Sequence, residues 1–410
     1  MAGLGRKVFT AGEVLTAANV NDYLMDQAVQ VYAGTAARGS ALGTAQAEGL
    51  VTYLSDTDTI QVALGTATWA NVASFSTATA GFTAISNGTA GITYQPVSPN
   101  YIINGAFDIW QRGTTFTANG YGADRWYLSG SNFSLTRQSS TPPVGSRFYS
   151  RVTATAGTSF CGNYQAIETQ NVAELRGKTI TVSAKIRRNS TMTVGLRLIV
   201  EKNSIVDAGV TAGGWDSMST LTVNNADITT GTGVSDWTNV ITTIVVPNDG
   251  TANSIRVSIQ ETAAMNSGSI WELAQVQLEA GSVATPFKRA ANTLQGELAA
   301  CQRYYFQITN ANTAGRPVSN IGYYSATAAF GVVPHPVEMR TAPTVSFTNT
   351  GAWSVYSNGV GRASTDVALN AASTLFSTLN FTTSSATAGN AGWVEALTGQ
   401  NGSINFSSEL

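Results

Sequence analysis

Asn100-Tyr-Ile-Ile-Asn-Gly-Ala-Phe-Asp-Ile-Trp-Gln-Arg-Gly113 and, far downstream, Trp271-Glu-Leu-Ala-Gln-Val-Gln-Leu-Glu-Ala-Gly-Ser-Val-Ala-Thr-Pro-Phe287 read as the first and last strands of one domain. Between them, Thr179-Ile-Thr-Val-Ser-Ala-Lys-Ile-Arg187, Met192–Val200, Asn239–Val246 and Ser254–Glu261 alternate apolar and polar residues. Alternation with period two places one face of a strand in a core and the other toward solvent, and many such strands at short spacing mark a sandwich. Residues 100–288 are therefore expected to form one large β-sandwich.

The composition agrees with a β-rich chain. Of 410 residues, 43% are hydrophobic but only 11% are charged, against roughly 25% in an ordinary domain. Thr, Ser, Asn and 40 glycines supply the missing polarity, and these residues favour strands and turns. The net charge of −2 offers no basic field for nucleic acid. No run of about 20 apolar residues exists to span a membrane, and the N-terminus lacks the apolar stretch of a signal peptide. Cys161 and Cys301 are too few and too far apart for a disulfide framework, so two buried free thiols are expected.

Outward from the sandwich, Thr16 is placed to cap a helix over 17–28, with Leu15, Val20, Tyr23, Leu24 and Ala28 on one face. Gly49–Leu54 and Thr59–Leu64 read as a hairpin around Ser55-Asp-Thr-Asp58, and Trp69 sits in a further strand. Residues 1–73 thus form a small N-terminal module. Residues 74–99, rich in Gly, Ala, Ser and Thr, form a linker or a thin shaft whose short strands gain a core only by joining others. Residues 289–306 turn helical. Residues 307–410 return to strands, including Gly322–Phe330, Pro343–Phe347 and Leu375–Phe381, enough for a second, smaller sandwich.

Three motifs carry a family resemblance. The opening Asn-Gly-x-Phe-Asp, the later Tyr121-Gly-Ala-Asp-Arg-Trp126 and the closing strand resemble a β-sandwich of bacteriophage tail and fibre proteins, itself similar to carbohydrate-binding jelly rolls. Phe9-Thr-Ala-Gly-Glu-Val-Leu-Thr-Ala-Ala-Asn-Val-Asn21 resembles the N-terminus of minor tail proteins of actinobacterial phages. Glu297-Leu-Ala-Ala-Cys-Gln-Arg-Tyr-Tyr305 resembles a recurrent tail-fibre pattern. The resemblance implies a mainly β virion protein: an N-terminal module that attaches to other tail or baseplate proteins, a central jelly roll, and a C-terminal β-sandwich that contacts the host. It also implies a homotrimer, host-surface glycan as ligand, and a chain made in the host cytoplasm that ends in the phage tail.

The residues themselves argue against catalysis. The single histidine, His335, lies between prolines and is expected at a surface or interface; no Ser-His-Asp or Cys-His system and no phosphate loop can be assembled. A glycosidase needs only two carboxylates, but the repeat period of a long β-helix is absent. Sugar rings stack on aromatic faces, which makes Trp215, Tyr323, Tyr324, Trp353, Tyr356 and Trp393 the candidate glycan contacts. Asp108 and Glu272 occupy positions where the resemblance implies a structural calcium; Arg112 and Arg125 are alternative ion-pair partners. No other cofactor is expected. A stand-alone carbohydrate-binding module and a tailspike glycosidase remain the alternative readings.

Overall fold

A computed structural model of the chain describes residues 11–14, 16–17, 29–43, 46, 48–65, 68–74, 82–86, 92–96, 98–309, 317–397 and 399–410. Residues 18–28 of the helix expected over 17–28 lie outside the described residues. The chain divides into two compact units, Met1–Val97 and Ser98–Leu410.

The first unit holds β1 (Gln30–Tyr32), α1 (Thr35–Leu42), β2 (Val51–Leu54), β3 (Thr59–Gly65) and β4 (Thr68–Ser74), with the strands in the order β1-β2-β3-β4. The hairpin expected around residues 55–58 is β2–β3. The Arg38 guanidinium lies 3.8 Å from the Trp69 ring centroid and hydrogen-bonds Thr52 and Gln61, so a buried arginine joins α1 to the sheet. In the segment 74–99, β5 (Phe82–Ser86) and β6 (Ile92–Pro96) pair as an antiparallel hairpin.

The jelly roll follows: β7 (Thr115–Phe116), β8 (Gly120–Tyr121), β9 (Tyr127–Ser131), β10 (Phe133–Gln138), β11 (Tyr149–Ala154), β12 (Phe160–Ile167), α2 (Thr169–Ala173), β13 (Thr179–Arg188), β14 (Leu196–Asn203), β15 (Asp216–Val223), β16 (Thr238–Val245), β17 (Ser254–Glu261) and β18 (Ile270–Ala280). Two six-stranded sheets face each other, β16-β13-β18-β11-β10-β7 and β15-β14-β17-β12-β9-β8. Their inner faces supply one apolar core that includes Trp126, Val182, Leu198, Val257, Trp271 and Leu278. Inward residues of β18 run Trp271, Leu273, Val276, Leu278, a skip that breaks strict alternation. The skip is a β-bulge: Ser183 pairs with Gln277 but Lys185 pairs with Ala274, and Gln275 adopts a left-handed φ of 52°.

The opening stretch is not the strand the sequence suggested. Residues 100–113 form a buried, irregular plug over the end of β18. Gly105 passes so close that a Cβ would overlap the Val276 carbonyl, and Val276 N–H donates to the Gly105 carbonyl at 2.9 Å. Asn104 and Phe107 take left-handed φ values of 57°, which turn the chain back on itself. Outside a regular ladder, the backbone is satisfied by single backbone bonds, such as Tyr101 N–H to the Leu278 carbonyl, and by side chains. The Asn100 Oδ1 accepts from Ile102 and Leu278, and the Asn104 amide bridges Ile109 and the Asp124 carbonyl. Trp126 Nε1 donates to the Asn104 carbonyl while its ring stacks on Phe107 at 5.1 Å. The motif Asn-Gly-x-Phe and the motif Ala-Asp-Arg-Trp are thus two halves of one interlocked corner.

Beyond it lie α3 (Leu294–Gln302), β19 (Tyr305–Thr309), β20 (Pro317–Tyr323), β21 (Ala328–Pro334), β22 (Thr344–Thr348), β23 (Trp353–Ser357), β24 (Val360–Ala363), β25 (Asp366–Ala372), β26 (Phe376–Thr382), β27 (Ala391–Ala396) and β28 (Ser403–Ser407). Gly322–Phe330, read as one strand, spans the end of β20, a turn at residues 324–327 and the start of β21, which pair antiparallel. A three-stranded sheet, β19-β28-β22, covers one face of a seven-stranded sheet, β24-β23-β27-β20-β21-β26-β25, and the core between them includes Trp353, Leu379, Phe381 and Phe406. Cys161 and Cys301 are both free and buried. Among the described residues no helix is long and apolar enough to cross a membrane.

Candidate functional site

Among the described residues no sheet packs on the other face of the seven-stranded sheet, and that face gathers aromatic rings. Alternation decides which ones. In β23, Trp353 and Val355 point into the core and Tyr356 points out; in β27, Val394 and Ala396 point in and Trp393 points out. Trp393 is in register with Tyr356 on one side and with Asn320 on the other. The Tyr356 and Trp393 rings lie nearly parallel, 5° apart in plane with centroids at 5.5 Å. Gly361, opposite Tyr356 in the next strand, leaves room for the tyrosine ring, which a Cβ there would overlap.

Polar groups border this pair. Trp393 Nε1 donates to Glu395 Oε2 at 3.2 Å, and Asn320 is exposed in the adjacent strand. Further along the same face, Tyr324 is 52% exposed and stacks on Phe330 at 4.5 Å and 17°. Two stacked aromatic pairs with flanking amide and carboxylate groups can hold the apolar face of a sugar ring and take its hydroxyl hydrogens.

Of the six aromatic candidates, Tyr324, Tyr356 and Trp393 share this face. Trp353 and Tyr323 do not: they are 0% and 3% exposed and belong to the core between the sheets. Their neighbours in sequence took the outward positions because adjacent strand residues point to opposite sides. Trp215 lies elsewhere, on the jelly roll. It is half-buried, its Nε1 donates to the Gly209 carbonyl, and its ring faces Arg256, which grips Glu201 with two bonds of 2.7 and 2.8 Å. Phe330 and Asn320 were not singled out from the sequence, although alternation within β20 and β21 marks both as outward.

Asp108 and Glu272, the carboxylates named for calcium, each hold arginine. Asp108 binds Arg289, and Glu272 is held between Arg151 and Arg187 under Tyr149 and Trp237. Both carboxylates are thereby neutralised by guanidinium groups, which repel a divalent cation. Among the described residues no group of three or more His, Cys, Asp or Glu side chains is placed to hold a metal. Arg112 and Arg125, the expected partners of that pair, instead both bind Glu409. His335 is half-buried rather than at the surface. It packs against Phe306 and Phe406, its Nδ1 donates to the Thr374 carbonyl, and burial lowers its pKa.

No family model matches the chain, and no curated protein matches it. Among solved structures, TmCBM61 in complex with β-1,4-galactotriose is similar over 44% of this chain and 99% of that one, at 13% identity and a TM-score of 0.29. The CBM22-1 xylan-binding domain from Paenibacillus barcinonensis Xyn10C is similar over 42% of this chain and 94% of that one, at 10% identity and a TM-score of 0.26. The enzymatically active domain of bacteriophage CBA120 tailspike protein 4 is similar over 44% of this chain, at 13% identity and a TM-score of 0.30; the match spans 21% of the tailspike domain.

Proposed function

We propose that this chain is a non-enzymatic component of a phage tail that recognises host-surface glycan through the outer face of its C-terminal seven-stranded sheet. The observation that carries the reading is the parallel pair of half-buried Tyr356 and exposed Trp393 beside Asn320 and Glu395. The resemblance of the N-terminal segment to minor tail proteins supports attachment to other tail or baseplate proteins by residues 1–73, a homotrimer, and a place in the virion. Several carboxylates of the second unit with largely buried side chains are committed to arginines, which counts against their use in glycoside hydrolysis. Asp108, Glu168, Glu272 and Glu409 each bind an arginine.

An array of bacterial surface glycans probed with the purified chain tests this. Stacking contributes about 1 kcal/mol per site, so three engaged copies lose roughly a hundredfold in avidity when the ring is removed. Trp393→Ala is expected to fold normally and lose binding. Trp353→Ala, which empties a core position, is expected to cost about 3–5 kcal/mol of stability instead. A wild-type chain that binds nothing on the array, or a folded Trp393→Ala that binds as the wild type does, overturns the reading.

A further inference from the structure

We propose that a pocket on the outer face of the jelly roll binds a hydroxycarboxylate, a carboxylate whose carbon skeleton also carries a hydroxyl group. The pocket has a volume of about 320 Å³ and lies between β13, β16, the middle of β18 and the loop that follows β18. Strand alternation sets its floor. Ala184 points into the core, so Ser183 and Lys185 point out, in register with Ile241 and Asn239 of β16. The bulge in β18 adds Gln275 to the lining. A non-glycine residue at a φ of 52° is strained, and bulges re-aim side chains beside functional sites. Here the re-aimed side chain is locked, because Gln275 Nε2 donates to the Val144 carbonyl at 2.7 Å and to Ser146 Oγ at 3.1 Å. Phe287 supplies a further wall. Its loop is tied to β18: Thr285 donates through its N and Oγ1 to Glu279, at 2.8 and 2.6 Å, and Lys288 N–H donates to Gln277 Oε1 at 2.9 Å.

The chemistry of the occupant follows from the groups left free. Lys185 is half-buried, and its ammonium makes no ion pair or hydrogen bond among the described residues. The outward carboxylates of β18 are taken, Glu272 by Arg151 and Arg187 and Glu279 by Thr285. One unpaired cation calls for one negative charge. The Ser183 hydroxyl and the Asn239 amide stand beside it without partners of their own and can donate to the same carboxylate. Gln275 has committed its Nε2 to the protein, so it offers the pocket only Oε1, an acceptor that a ligand hydroxyl satisfies. Lys185 Nζ, Ser183 Oγ and Gln275 Oε1 all keep solvent-accessible surface, so a ligand reaches them. Ile241, 49% exposed, and Phe287 receive the carbon skeleton. A phosphate dianion would face a single cation, and an ammonium compound would be repelled by Lys185 with no carboxylate in the lining to hold it. A closed cavity of about 150 Å³ holds a benzene ring, so this pocket has room for a six-membered ring with its substituents. Two sources share this chemistry: a uronic acid unit of a polysaccharide and a free hydroxy acid.

The test titrates glucuronate, the methyl ester of glucuronate, cyclohexanecarboxylate and lactate into the full chain carrying methyl-labelled isoleucine, followed by NMR. Glucuronate is expected to shift the Ile241 methyl signals. It is expected to bind about tenfold more tightly than its ester, which lacks the charge, and than cyclohexanecarboxylate, which lacks the hydroxyls. Lys185→Gln is expected to erase the preference for glucuronate over the ester. Lactate, a hydroxy acid without a ring, separates the sources. Binding weaker than that of glucuronate assigns the pocket to a uronate unit, and equal or tighter binding assigns it to a free hydroxy acid; both support the shared chemistry. Trp393→Ala is expected to leave the Ile241 shifts unchanged, so this site is tested apart from the C-terminal sheet face. Equal binding of glucuronate and its ester by the wild-type chain overturns the proposal, whatever the folding of the variants. So does equal binding of glucuronate and cyclohexanecarboxylate, or an absence of Ile241 shifts with both hydroxy acids at millimolar concentration.

Discussion

Glu261 is an acid sealed inside an apolar core. It points inward from β17, where its Oε1 accepts from Trp271 Nε1 in the facing sheet at 2.5 Å and its Oε2 accepts from the Cys161 backbone at 3.0 Å. Burial pushes its pKa up to about 7, against the pull of those donors. The unfolded side chain titrates near the ordinary value of 4.5. Between these pH values the folded state binds more protons than the unfolded state, so this residue's contribution to stability falls as pH rises from about 4.5 to about 7 and levels off above. Glu261→Gln keeps the shape and one acceptor but does not titrate. Denaturant unfolding of both proteins from pH 4 to 8 is expected to show the wild type losing ground to the variant across that window; a constant difference contradicts the burial of a titrating carboxylate. At the same scale, tyrosine hydroxyls with buried partners move the same way. Tyr164, beside Gln260, is pushed up to about 12, chiefly by burial.

At the scale of elements, the jelly roll depends on close backbone approach at its opening corner. The plug over 100–113 has no strand partner, so its position relies on Gly105 lying against β18 and on the Asn100 and Asn104 side chains. A methyl group at Gly105 has backbone on its far side rather than a side chain that can move. Gly105→Ala is expected to destabilise the domain by about 1–3 kcal/mol, the usual range for overpacking. Gly157→Ala, where a Cβ meets nothing within 4 Å, is the control and is expected to stay within about 0.5 kcal/mol of the wild type. Equal unfolding midpoints for the two variants would remove the role assigned to the corner. The motif was legible as a signature; its physical purpose was not, because Asn-Gly-x-Phe looks extended until β18 is laid beneath it.

On the scale of the whole molecule, the jelly roll and the C-terminal sandwich meet through one charged and aromatic joint within the second unit. The Arg125 guanidinium lies 3.5 Å from the Tyr304 ring centroid and binds Glu409. Arg112 lies 3.4 Å from Tyr305 and binds the same carboxylate. Tyr304 Oη donates to Glu168 at 2.5 Å, Arg303 joins it at 3.0 Å, and Arg340 reaches Asp207 at 3.4 Å. The segment Arg303-Tyr304-Tyr305 therefore serves the joint. Buried pairs of this kind resist the removal of either partner, because the survivor is left uncompensated. Outside the joint the chain carries little charge, and weak mutual repulsion favours association of copies. Light scattering on the purified protein is expected to give three times the 42.8 kDa of one chain; a monomer at micromolar concentration would exclude the trimer.

The sequence by itself determined the elements whose evidence is local. Alternation in Thr179–Arg187 and Ser254–Glu261 marked β13 and β17, and the polar turn at residues 55–58 marked β2–β3. The same period also separates outward Tyr356 from inward Trp353, once strand ends are known. Tertiary structure decided what depends on neighbours distant in the chain. It turned the opening segment from strand to plug, gave Glu272 to Arg151 and Arg187 and Asp108 to Arg289, and brought Glu409 to Arg112 and Arg125. A carboxylate in a sequence carries no mark of its partner, because several cations suit it equally until folding fixes which one shares its burial.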